Sequence, residues 1–218
     1  MRFILLIVVF FFGVVLGIFI FMGTSIREEF SDVKYAKILF SEEVTRDSVP
    51  KLISTIEEIN RDHEGLEKIY LYIISWGGDA DGGEAAYQII KSSRIPITTV
   101  NLANVGSAAT FMFCGGKERL SFEDGTFLLH PPANVAPKRT WTPDELRQME
   151  EVLRTYVNFG VEVYKSCTTI PEAEIKALLY SEDQRLVLSA KQAKEKGLIS
   201  GTVSEIIDTP YSYLVSDE

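Results

Sequence analysis

Ser107, His130 and a Gly77-Gly78 pair each stand at the end of a strand-like run, and acyl transfer is the chemistry that those residue types serve together. The run from Ile69 to Gly83, IYLYIISWGGDADGG, alternates apolar residues and then breaks into glycines. Glycines without side chains let backbone N–H groups face a substrate carbonyl, as an oxyanion hole requires. The run from Ile97 to Gly116 reads as a strand, a tight turn at Gly106 and Ser107, and an apolar helix whose N-terminus favours negative charge. A serine at that turn sits exposed above the helix. A third run, GTFLLHPPA from Gly125 to Ala133, delivers His130 to the same edge, where an imidazole serves as general base at neutral pH. Thr110 is the competing hydroxyl, and its place one turn into an apolar helix reads as a buried helix threonine.

The elements that must position these residues alternate strand and helix. Ala36–Phe40 is strand-like, and Leu52, Ile53, Ile56 and Ile59 recur at helical spacing after a cap at Asp47 or Ser48. Ile69–Ile74 is strand again, Gly83–Ser93 a helix, Ile97–Leu102 a strand and Ala108–Cys114 a short buried helix, the alternation that builds an α/β domain. Thr142-Pro143-Asp144-Glu145 carries a cap, a first-turn proline and a box glutamate, and opens a long helix toward Ser166. Its stripe of Leu146, Met149, Leu153, Tyr156, Val157, Gly160 and Tyr164 is expected to pack on the domain's own core. Ser189 with Gln192 caps the next helix, Gly197 ends it, and Leu198–Ile207 returns as strand before a loose acidic tail at 209–218.

Phe3 to Met22 is an uncharged, apolar run that at ~1.5 Å per residue spans a hydrocarbon core ~30 Å thick. It reads as a membrane anchor within residues 1–24. The rival is a cleaved signal peptide with small residues at Gly23-Thr24-Ser25, and the length of the run favours the anchor. Arg2 is the only side-chain cation before it, which puts the domain at 35–208 outside the cytoplasm by the positive-inside tendency, with 25–34 as a tether. A net charge of −9 argues against nucleic acid as partner. Cys114 and Cys167 read as two buried thiols, and His63 and His130 have no companions in a metal-ligand spacing, so neither metal nor cofactor is expected.

Ser75-Trp76-Gly77-Gly78, Ala103-Asn104-Val105-Gly106-Ser107-Ala108-Ala109 and His130-Pro131-Pro132, in that order, resemble the motifs of the Clp protease proteolytic subunit, a serine peptidase of the ClpP/crotonase fold. The resemblance runs from about Lys37 to Ile207 and implies a spiral of β-β-α units. It implies Ser107 as nucleophile, His130 as base, and the N–H groups of Gly78 and Ala108 as oxyanion hole. The family's third member falls at Arg185 without a gap, and Asp183, two residues earlier, is the candidate carboxylate. A peptide or protein substrate and a homo-oligomer follow from the same resemblance, with the long helix in the place of the family's ring-joining handle. The reading that results is a membrane-anchored serine endopeptidase. Its alternative is a catalytically degenerate relative that binds peptides or assembles with partners.

Overall fold

The computed structural model describes residues 33–133 and 139–216. The Phe3–Met22 run and nearly all of the tether lie outside those residues. Among the described residues no helix is long and apolar enough to cross a membrane.

The domain begins at Tyr35. Strand β2 (Lys68–Ser75) buries Ile69, Leu71, Tyr72 and Ile73 almost without a break, the pattern of a strand covered on both faces. It lies between β1 (Tyr35–Ser41) and β3 (Ile97–Gly106) and runs parallel to both. The first half of β3 pairs with β4 (Glu118–Phe122), and its last residues, Asn104–Gly106, pair with β5 (Thr126–Leu129). That change of partner brings the ends of β2, β3 and β5 together at one edge. β5 also pairs antiparallel with β6 (Leu186–Ser189), while β7 (Gly201–Val203) extends the sheet from β4. Helices α1 (Ser48–Asp62), α2 (Ala80–Ser92) and α3 (Ala108–Cys114) follow the first three strands. Helices α4 (Pro143–Cys167), α5 (Glu172–Leu178) and α6 (Ala190–Glu195) complete the domain.

Several boundaries differ from the sequence reading for local reasons. α2 starts at Ala80 because Asp79 accepts a hydrogen bond from the Gly82 N–H at 2.8 Å, so Gly82 and Gly83 enter the helix despite their poor propensity. β3 continues past Leu102 to Gly106 along β5. Within Leu198–Ile207 only Gly201–Val203 is strand. The expected acidic tail instead contributes β8 (Ser212–Val215), parallel to β1, with Val215 buried and Thr209 Oγ1 donating to the Tyr35 carbonyl at 2.6 Å. Ser212–Val215 is part of the sheet.

α4 departs from the sequence expectation at both of its ends. No residue of α4 before Gly160 is buried, and Leu146 stands 53 % exposed, so the front of the apolar stripe does not pack on the domain's own core. That half of the helix is supported locally, by the Thr142–Glu145 capping box and by Arg147 and Arg154 paired one turn away with Asp144, Glu151 and Glu150. At its other end Cys167 forms a disulfide with Cys114, with Cα atoms 5.6 Å apart, so the two cysteines are not free thiols. The helices are aligned for it by Tyr164, whose ring sits 5.6 Å from Phe111 and whose hydroxyl lies 2.6 Å from Thr110 Oγ1. No spacing in the sequence carries that distance.

Candidate active site

Ser107 has φ 51° and is the one non-glycine residue with positive φ among the described residues. A side chain in that region is strained, and the surroundings must hold it there. They do so through close backbone approach. A Cβ on Gly77 would lie 2.5 Å from Ser107 Cβ and 2.6 Å from the Gly106 carbonyl oxygen, and one on Gly83 would lie 2.8 Å from the Ala108 carbonyl oxygen. The Ser107 N–H donates to the Leu128 carbonyl at 2.8 Å, which ties the turn to β5. Thr110 donates its hydroxyl to the Ser107 carbonyl at 2.6 Å from below. Thr110 is fully buried and committed to that carbonyl and to Tyr164, so it is no rival to the half-buried Ser107. Burial pushes the Tyr164 phenol upward, which keeps it a neutral partner.

Gly78 and Ala108 offer backbone donors beside the serine. Val44 donates to the Gly77 carbonyl at 2.9 Å and accepts from the Asp79 N–H at 2.7 Å. In a parallel bridge this alternation turns the N–H of the middle residue, Gly78, away from Val44. Ala108 is the first residue of α3, where an N–H has no intrahelical acceptor. Neither N–H makes a hydrogen bond among the described residues.

A cleft of about 480 Å³ is lined by Gly78, Ser107, Ala108, His130, Tyr156 and Tyr164. His130 follows β5 directly and its side chain is 22 % exposed. No hydrogen bond joins its ring to Ser107 Oγ in this arrangement, although both face the same cleft. The ring is held from the other side, with Nδ1 3.1 Å from Oε1 of Glu182. Glu182 also faces Arg185, its other carboxylate oxygen 3.9 Å from Nη1.

Of the six residues drawn from the sequence as site or site-adjacent, the structure brings Gly78, Ser107, Ala108 and His130 to one cleft and leaves Asp183 outside it. Among the described residues Arg185 meets the site through Glu182. The carboxylate at His130 is Glu182, and no hydrogen bond or ion pair engages Asp183 among the described residues. The reason is local geometry. Glu182–Gln184 is a 3₁₀ turn, in which residues three apart eclipse each other while the next residue points about a third of a turn away. Glu182 therefore shares a side with Arg185, and Asp183 does not. The signal that would have found it is the Glu182-x-x-Arg185 spacing read at a period of three.

The Clp protease family matches residues 21–206 of this chain. The ATP-dependent Clp protease proteolytic subunit 1 of Chlamydia caviae is 28% identical over 175 residues, which is 79% of this chain and 88% of that protein. The corresponding subunit of Triticum aestivum is 32% identical over 149 residues, 66% of each. Among solved structures, a ClpP1 mutant from Listeria monocytogenes superposes with a TM-score of 0.65 at 16% identity, over 83% of this chain and 96% of that one, a likeness of fold. With a strand–turn–helix serine, a histidine at the end of the paired strand β5 and a family match over most of its length, the chain belongs to the Clp protease family.

Proposed function

We propose that the chain is a serine endopeptidase tethered to a membrane by Phe3–Met22, with its domain outside the cytoplasm. The observation that carries the chemistry is Ser107 at a strained turn, sharing a cleft with His130 and with the uncommitted N–H groups of Gly78 and Ala108. His130 Nε2 takes the Ser107 hydroxyl proton as Oγ bonds to the scissile carbonyl carbon. The resulting oxyanion accepts hydrogen bonds from Gly78 and Ala108. As the peptide C–N bond breaks, the imidazolium returns the proton to the leaving amine, and water then hydrolyses the ester by the same route. A protein or peptide substrate and assembly into a homo-oligomer are proposed from family membership, and the exposed front of α4 is the surface that such assembly would cover.

The outside location draws support from the Cys114–Cys167 bond, because disulfides persist in oxidising compartments. A domain outside the cytoplasm acts without a cytosolic ATPase ring. The second reading, a degenerate peptide-binding relative, is favoured by the absence of a Ser107–His130 hydrogen bond and by Arg185 at the position that matches the family's aspartate.

A fluorophosphonate probe followed by peptide mapping separates the two. Labelling of Ser107 that Ser107→Ala abolishes, with the fold retained, is expected, and an unlabelled wild-type protein rejects the enzymatic reading. For the tether, full-length protein is expected to stay with membranes through an alkaline carbonate wash. Its release as a shorter soluble form selects the cleaved signal peptide.

A further inference from the structure

We propose that Glu182 is the positioning residue for His130, displaced by one 3₁₀ turn from the place where the family carries its aspartate, with Arg185 anchoring the far carboxylate oxygen. The proposal rests on the Ser107–His130 reading and names the group that makes that pair competent.

The topology supplies the argument. β5 and β6 pair antiparallel with Leu129 opposite Leu186, and continuing that register by one step sets His130 opposite Arg185. Position 185 is therefore the natural seat for a group that holds the imidazole, and a guanidinium, a pure donor, cannot accept a proton from Nδ1. The turn just before β6 resolves the conflict. It closes through the Arg185 N–H donating to the Glu182 carbonyl at 3.2 Å, which stacks Glu182 over Arg185 and swings its carboxylate to 3.1 Å from Nδ1. Arg185 Nη1 lies 3.9 Å from the second oxygen and keeps the first one turned toward the ring.

The consequence is chemical. A carboxylate is an acceptor, so its bond requires Nδ1 to carry the proton and leaves the Nε2 lone pair for Ser107. It also stabilises the imidazolium that forms as the serine attacks. Glu182 is 55 % exposed, so water shares this task, and the effect is smaller than the ~10⁴-fold loss known for a buried triad carboxylate. Removing the contact is expected to cost about 10²-fold in rate.

The test has two arms on the full chain. In the first, fluorophosphonate inactivation is resolved into its binding and bond-forming constants for the wild type, Glu182→Gln and Asp183→Asn. Expected is a loss of about 10²-fold in the bond-forming step alone for Glu182→Gln, with Asp183→Asn within about twofold of wild type and thermal stability unchanged in both. In the second arm, ¹⁵N shifts of the two histidines, assigned with His63→Gln, report the tautomer of His130. The Nδ1-protonated form dominates in the wild type and gives way to the Nε2-protonated form in Glu182→Ala.

Glu182→Gln at wild-type rate, a loss of equal size in Asp183→Asn, or an unchanged tautomer in Glu182→Ala overturns the proposal. Should Ser107 prove unreactive in the wild type, the enzymatic reading falls, while the tautomer still decides whether Glu182 holds the ring.

Discussion

The two walls of the cleft are built on opposite principles. The wall that presents Ser107 is made of backbone packed on backbone. β3 and α3 are buried through the turn, and Gly77, Gly83 and Gly106 bring neighbouring chains so close that no side chain fits between them. The wall that presents His130 is made of side chains just past short elements: a four-residue strand whose Phe127 and Leu129 are buried, a single 3₁₀ turn with no buried residue, and a carboxylate open to water. The first wall stores strain at Ser107 and is over-determined by its surroundings. The second has β5 paired on both sides, but beyond the strand end one hydrogen bond, from Glu182, holds the imidazole. A nucleophile and its oxyanion donors need fixed positions to stabilise charge without reorganising, whereas a base must turn to pass a proton between serine and leaving group. The division of rigidity follows the division of labour.

The largest expected effect breaks the first wall. Gly77→Ala would set a methyl group 2.5 Å from Ser107 Cβ at a φ of 101°, so both a steric and a conformational cost arise at the nucleophile. Loss of about 2–4 kcal/mol of unfolding free energy and of all fluorophosphonate labelling is expected. On the second wall Glu182→Ala, an exposed surface change, should alter stability by less than about 0.5 kcal/mol while slowing the reaction. Denaturant unfolding of the two variants measures the contrast. Equal losses of stability would show that the walls do not differ as argued.

A second effect acts behind the first wall. The Cys114–Cys167 bond closes a loop with a sequence separation of 53 and ties the end of α3 to the end of α4. Chain-entropy reasoning gives about 4 kcal/mol for a loop of that length, and the paired Cys114→Ser/Cys167→Ser variant should lose about 2–4 kcal/mol. The bond lies at the far end of α3 from Ser107, so labelling at room temperature should persist. Matching unfolding curves for oxidised and reduced protein would show that the two sulfurs are not joined.

The same contrast explains what was legible in the sequence. Ser107, Gly77 and Gly78 announce themselves because strand, turn and helix are contiguous in the chain, and close approach at a turn demands glycine in the sequence itself. His130 is legible for the same reason, at the end of GTFLL. Glu182 stands beside Asp183 with nothing in the sequence to favour it. Its role depends on the β5–β6 register and on the phase of a 3₁₀ turn, neither of which is written in composition or spacing. The disulfide depends on how two helices converge, which Tyr164 decides from a distance in sequence. β8 was hidden by its acidic neighbours, since Ser212–Val215 offers too short an alternation to announce a strand that only β1 makes possible.

The smallest expected effect sharpens the comparison where polar contacts alone hold the fold, at the start of α4. The Glu145 carboxylate accepts from the Thr142 N–H at 2.8 Å, pairs with Arg139 at 2.9 Å and takes the Thr142 hydroxyl, which together draw its pKa from an ordinary value near 4.5 down to about 2, the backbone bond contributing most. A carboxylate whose folded pKa is depressed adds stability that is fully present above its unfolded pKa and is lost as pH falls through the folded one. The window here runs from about 4.5 down to about 2. The group is exposed and water screens it, so the global unfolding temperature should hardly respond. The local response has its own reporter. Arg139 lies over the Trp141 ring at 3.9 Å, and Trp76 is the only other tryptophan. In a Trp76→Phe background, acid titration of the remaining fluorescence should show a transition near pH 2 as the capping box opens, and Glu145→Gln should remove it. A midpoint near 4.5 would mean that the box is not formed in solution, and that α4 begins frayed where its residues are exposed.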